Sequence, residues 1–262
     1  MSQRVTFTVA GRTDVGIIRS GNEDNFLMAP DEGQFIVADG MGGHAAGEVA
    51  SEMAVRIMGQ ELNGAAGRAD EEVAERIRTA IRDANNAIFQ RTLTEVDKRG
   101  MGTTLTGMLI NGEHYLIGQV GDSRAYLYRD GRLVQITKDH SYVQEQVDAG
   151  YLTPEQARTH PYSNVITRCV GANAEVVPDV YLGTLRSGDV YLLASDGLTG
   201  MLEDPDLLAA IQSHVEPQQI VDVLIEEANR RGGLDNITVI ILRIDSVQGR
   251  TSGETRAMAG AI

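Results

Sequence analysis

The chain has a single cysteine, Cys169, so no disulfide can close within it, and such sparing use of cysteine suits a reducing compartment. Basic residues are few: 23 lysines and arginines face 37 aspartates and glutamates, giving a formal net charge of −14. That balance argues against a nucleic-acid groove or an anionic-membrane surface. Long apolar runs are missing too. Ile237-Thr238-Val239-Ile240-Ile241-Leu242 is among the longest, far short of the roughly 20 residues of a membrane helix. Met1-Ser2-Gln3-Arg4-Val5-Thr6 lacks the apolar core of a signal peptide. These absences lead to the expectation of a cytoplasmic protein with no membrane span. No linker-like stretch interrupts residues 5–245 and no repeat is visible, so one domain is expected over 1–245. The polar, Gly-rich tail 246–262 is expected to be disordered.

Of the 262 residues, 42% are hydrophobic, enough for a core of that size. Val49, Met53, Ile57 and Leu62 recur at helical spacing over 45–62, and Val73, Ile77, Ile81, Ala84 and Ile88 do so over 70–96. Asp70-Glu71-Glu72 suits the start of the second helix, where the dipole favours negative charge. Short β-rich runs then cover 103–110, 114–120, 125–128 and 133–137, separated by Asn111-Gly112, Gly121-Asp122 and Asp130-Gly131. Turn dipeptides of this kind mark successive antiparallel strands. After a polar, helix-prone stretch at 139–160, strands are expected at 165–169, 176–182 and 190–194, helices at 205–213 and 217–231, and a last strand at 237–244. The pattern predicts an α+β domain in which two sheets pack face to face with helices outside.

Carboxylates recur where these strands end. In Ala38-Asp39-Gly40-Met41-Gly42-Gly43-His44 an aspartate closes an apolar strand and a glycine-rich turn follows. Upstream, Asn25–Ala29 and Gln34–Ala38 flank a Pro30-Asp31-Glu32-Gly33 turn and read as a hairpin. With its midpoint between Asp31 and Glu32, Asp24 and Asp39 are equidistant from the turn and face each other at the open end. Asp122, Asp196 and Asp235 sit at similar strand ends. Taken singly, each aspartate reads as a turn residue. Taken together they point to a cation site, because clustered carboxylates cannot all stay ionised without one. Oxygen donors with no Cys/His cluster favour Mg2+ or Mn2+ over zinc.

The motifs complete the picture: Asp14-Val15-Gly16 with Arg19, Asn22-Glu23-Asp24, Asp39-Gly40-Met41-Gly42-Gly43-His44, Gly102-Thr103-Thr104, Gly121-Asp122-Ser123-Arg124, Asp139-His140-Ser141, His160-Pro161, Ser195-Asp196-Gly197 and Asp235-Asn236-Ile237-Thr238. In this order, over about residues 8–244, they resemble the bacterial type 2C (PPM-type) metal-dependent protein serine/threonine phosphatases. The resemblance implies a β-sandwich of two antiparallel sheets flanked by helix pairs, a four-layer αββα fold. It implies hydrolysis of phosphoserine and phosphothreonine in proteins by a metal-activated water, reversing a bacterial serine/threonine kinase, with two core Mn2+ or Mg2+ ions and a third, weaker one.

Carried over by position, Asp39 bridges the two core ions, Asp196 and Asp235 bind the first, and the Gly40 carbonyl binds the second. Asp24 holds metal-bound water or contacts the first ion, Glu23 orients water, and Asp122 holds the third ion. Arg19 binds the substrate phosphate through its planar fork. His44 is a candidate proton donor or water orienter, or alternatively a helix-start cap. His160 is expected to contact substrate from a flap at about 139–164, where Tyr162-Ser163-Asn164 stands in place of an arginine common in relatives, and His140 is expected to be structural. Cys169 has no Cys-x5-Arg phosphate loop around it and reads as a buried thiol. Two other readings remain in play: a catalytically weak phosphatase-like regulatory module, and a two-metal nuclease, which would want a basic groove.

Overall fold

Apolar runs such as Phe35-Ile36-Val37-Ala38 and Val239-Ile240-Ile241-Leu242 do not alternate with polar residues, which is the mark of strands covered on both faces. The computed structural model, which describes residues 5–42 and 46–247, accounts for this with two sheets and flanking helices. The strands are β1 (Val5–Asp14), β2 (Asp24–Ala29), β3 (Gln34–Met41), β4 (Gly102–Thr103), β5 (Leu105–Asn111), β6 (His114–Val120), β7 (Arg124–Arg129), β8 (Arg132–Gln135), β9 (Asp179–Thr184), β10 (Val190–Ala194) and β11 (Ile237–Val247). The helices are α1 (Ala46–Leu62), α2 (Asp70–Thr94), α3 (Tyr142–Asp148), α4 (Pro154–Arg158), α5 (Asp196–Thr199), α6 (Asp204–Ser213) and α7 (Pro217–Arg230).

One sheet runs β1-β11-β10-β7-β8 and the other β2-β3-β5-β6-β9, with β4 paired to the end of β3. Every pairing is antiparallel. Phe35, Val37, Met108 and Ile117 meet Tyr191, Leu193, Ile240 and Leu242 between the sheets. The alternate residues Ile36 and Ala38 pack under α1 and α2. Leu192, Ala194, Val239 and Ile241 pack under α6 and α7. The four-layer αββα expectation is therefore met. Among the described residues no helix is long and apolar enough to cross a membrane.

Several boundaries differ from expectation. β1 has no counterpart in the sequence reading; Gly11 and Arg12 obscure its alternation, and ten pairings with β11, interrupted by one register shift between Thr6 and Phe7, hold it. The run expected over 103–110 breaks at Thr104, between β4 and β5. Residues 165–169 do not form a strand. Val165 is exposed, and the segment makes only an isolated antiparallel bridge, Ile166 opposite Ser141, with Tyr142 N–H donating to Val165 O and Thr167 N–H to His140 O. The strand expected at 176–182 is Asp179–Thr184, and the second helix ends at Thr94. The last strand continues to Val247, past the expected boundary at 245. The rest of the expected tail, 248–262, lies outside the described residues, as does His44. Cys169 is half-buried rather than buried, with desolvation raising its thiol pKa, which keeps it a poor nucleophile.

Candidate metal centre

The hairpin register places Asp24 directly across from Asp39. Residues directly opposite on an antiparallel pair project from the same face, so one turn of the right length suffices to juxtapose these carboxylates. Asp39 is fixed by its backbone: its N–H donates to Thr104 Oγ1 at 2.9 Å, and its carbonyl accepts from Thr104 N–H at 2.8 Å and Thr103 Oγ1 at 2.9 Å. The break between β4 and β5 thus turns a threonine back onto the aspartate. Asp24 lies on the other side of the pair, where Ser195 Oγ donates to its Oδ2 at 2.8 Å and Thr238 Oγ1 at 2.7 Å. Ser195 follows β10 and Thr238 lies on β11, so these two bonds tie one sheet to the other.

Asp196 opens α5 immediately after β10. Asp39 and Asp196 come within hydrogen-bonding reach of each other, a contact that needs one proton between them. Asp122, half-buried in the β6–β7 turn, faces Asp196 and Asp139. Asp235 points toward Arg19, whose Nη2 donates to its Oδ2 at 2.7 Å. Glu23 sits against the first turn of α1, accepting from Gly47 N–H. Gly40 is packed so closely that a Cβ there would lie 2.1 Å from Gly47 O and 2.5 Å from Glu23 O.

Crowding shows in the proton affinities. Burial, foremost, pushes Asp24 up to about 7; its two hydroxyl donors oppose the rise and the charges of Asp196 and Asp235 add to it. Asp39 is raised well above the carboxylate range by burial, then by Asp24, Asp196 and Asp122. Asp122 rises by burial and by Asp196. Asp196 rises by burial, with the contact to Asp39 opposing. Glu23 is raised by desolvation, which outweighs Gly47 N–H and Arg19.

The donor set suits hard cations. Asp24 Oδ1 and Asp196 Oδ1 are buried and have no hydrogen-bond partner, which is costly for a carboxylate. Among the described residues no three His, Cys, Asp or Glu side chains are grouped closely enough to hold an ion as they stand. Asp24 is turned onto the hydroxyls of Ser195 and Thr238, and Asp235 onto Arg19.

A carboxyl whose folded pKa exceeds its unfolded value binds more protons when folded, so stability falls as pH climbs from about 4 toward about 7. In chelator, the melting temperature is expected to drop by several degrees between about pH 5 and about pH 8, and Mn2+ is expected to restore it most at the higher pH. Differential scanning calorimetry checks this; a flat profile would count against a packed carboxylate cluster.

The protein phosphatase 2C family model matches residues 19–227. The chain belongs to the protein phosphatase 2C family. The serine/threonine protein phosphatase PstP of Mycobacterium tuberculosis is 40% identical over 99% of this chain. The chain spans about half the length of that relative, 49%. The serine/threonine phosphatase stp of Listeria monocytogenes is 39% identical over 90% of this chain and 96% of its own length. Among solved structures, the catalytic domain of PstP in complex with two manganese ions superposes with a TM-score of 0.83, at 39% identity, covering 92% of this chain and 99% of that one.

Within this phosphatase 2C domain the structure gathers Asp24, Asp39, Gly40, Asp122, Asp196 and Asp235 at one end of the sandwich, with Arg19 and Glu23 beside them. His160 lies in the flap, its ring in a three-membered cluster with Tyr142 and Tyr162, whose centroids are 5.9 and 5.6 Å away and 5.8 Å from each other. His140 is buried, accepting from Gly121 N–H at 3.1 Å and pairing with Asp179 at 3.0 Å, a structural tie between flap, turn and β9. Sequence reasoning missed the roles of Ser195, Thr238, Thr104 and Asn236. Asn236 accepts from Glu23 N–H at 2.8 Å and donates to the carbonyls of Val15 and Gly21. All four lay inside quoted motifs, which was the only signal available.

Proposed function

We propose that this domain hydrolyses phosphoserine and phosphothreonine in proteins with two core Mn2+ or Mg2+ ions and a third held more weakly. The observation that carries the reading is the pair of buried, unpartnered oxygens, Asp24 Oδ1 and Asp196 Oδ1, next to Asp39. Asp39 would hold both core ions, Asp196 and Asp235 the first, the Gly40 carbonyl the second, Asp24 the first or its water, and Asp122 the third. The manganese-bound PstP domain supports that count of core ions. When bound, the cations supply charge neutralisation and lower the pKa of water toward neutrality.

The chain's own groups do the rest. Arg19 carries a planar fork of N–H donors, enough to grip phosphate oxygens while Nη2 stays on Asp235. Glu23, held by Gly47 N–H, orients water. His44 remains the proposed source of the leaving group's proton. His160 meets the polypeptide part of the substrate from the flap. A serine/threonine kinase would supply the substrates, in the cytoplasm, a setting that the single cysteine suits.

Phosphate release from a phosphothreonine peptide is expected to require Mn2+ and to stop in chelator. Arg19→Ala is expected to lower kcat/KM by about a hundredfold while calorimetric Mn2+ binding persists. Activity that survives chelation would sink the proposal. Mn2+ binding without turnover would favour the regulatory-module reading instead.

A further inference from the structure

Four large apolar side chains stand in solvent beside the carboxylate cluster: Val15, Ile17, Ile18 and Leu234, exposed by 37%, 64%, 65% and 56%. Scattered surface hydrophobics are ordinary, whereas grouped ones mark contact sites. These are grouped. The N–H groups of Ile17 and Ile18 both donate to Gly233 O, at 2.8 and 3.2 Å, and Leu234 is the next residue.

The backbone that displays them is firmly held. Gly16 N–H donates to Asp14 Oδ1 at 3.0 Å, and Asn236 Nδ2 donates to Val15 O at 2.8 Å. Gly16 has φ +82°, and a Cβ there would lie 2.2 Å from Asp235 O, so only glycine fits this junction. A loop this constrained yet pointing two isoleucines outward has no packing reason for their identity. Its position supplies one. Ile18 precedes Arg19, Leu234 precedes Asp235, and the Arg19–Asp235 pair closes at 2.7 Å, so the patch is continuous with the proposed phosphate grip.

We propose that Val15, Ile17, Ile18 and Leu234 form the docking surface for the polypeptide flanking the phosphorylated residue. It selects segments with a bulky apolar side chain within about two positions of phosphoserine or phosphothreonine, an extended chain advancing about 3.3–3.6 Å per residue. The inference rests on the phosphatase reading. The chain's charge of −14 disfavours acidic flanks, and the exposed apolar patch continuous with the Arg19–Asp235 pair supplies the contact on which selection among flanks of equal charge rests.

The test compares two phosphothreonine peptides of equal length and charge, one flanked by leucines and one by serines, with p-nitrophenyl phosphate as a third substrate, all with Mn2+. Wild type is expected to favour the leucine peptide by about tenfold or more in kcat/KM. The double substitution Ile17→Ser with Ile18→Ser, and separately Leu234→Ser, is expected to bring that ratio toward one. Damage to folding or catalysis would lower both peptides together and leave the ratio unchanged. Equal rates in wild type, or an unchanged ratio in both variants, would overturn the inference alone. No Mn2+-dependent hydrolysis of any substrate would overturn the phosphatase reading and the inference with it.

Discussion

Asp39→Asn is expected to cut phosphate release by at least about a thousandfold while making the chelator-treated protein more stable, not less. The two effects share one cause. Asp39 is in contact with Asp196 and feels the charges of Asp24 and Asp122, and burial already holds its pKa well above the usual range. An amide has the same shape, cannot ionise, and can donate an N–H to Asp196, so the repulsion among the remaining carboxylates falls. Each unit of pKa displacement relieved is worth about 1.4 kcal/mol, and each kcal/mol moves the melting temperature of a domain this size by about 2–4 °C. The same exchange removes the charge proposed to sit between two cations, so Mn2+ affinity and turnover fall together. Calorimetric Mn2+ titration, thermal melts in chelator and peptide dephosphorylation read the three quantities separately. Turnover within tenfold of wild type would remove Asp39 from its proposed place between the ions.

Gly40→Ala is expected to lower the melting temperature by about 10 °C or to prevent folding, with activity lost in whatever folds. The added methyl would lie 2.1 Å from Gly47 O, 2.4 Å from Gly47 C and 2.5 Å from Glu23 O, all backbone atoms. None can swing aside as a side chain would. Either α1 moves off β3 or the β3 end bends away from Glu23, losing the bond from Gly40 N–H to Glu23 O at 3.1 Å. Both responses displace the Gly40 carbonyl, so loss of stability and loss of Mn2+ binding should appear together in melts and titrations. A variant with wild-type stability would show that the α1–β3 contact is softer than its geometry.

The hairpin register was legible because period-two geometry and a Pro-Asp-Glu-Gly turn leave little freedom: the expected opposition of Asp24 and Asp39 is the observed one. The helices from 46 and 70 were legible from their apolar stripes. Val165 to Cys169 was misread because apolar β-formers in a flap resemble a strand until their hydrogen-bond partners are known; His140 and Tyr142 supply those partners. Asp24 was read as a site residue, but its support by Ser195 and Thr238, at separations of 171 and 214 residues, has no local signature. Contacts of that kind depend on how sheets stack, and nothing in the spacing of a single motif reports it.

The clamp on Asp24 also has a consequence for biosynthesis. Its acceptor is made early, while one donor, Thr238, lies on β11, the strand that slots between β1 and β10. Until the ribosome has passed residue 238, the growing chain has β1 without its partner and Asp24 without half its support. Domains tend to fold as units as they emerge, so the carboxylate cluster of this one should be complete only when β11 is inserted.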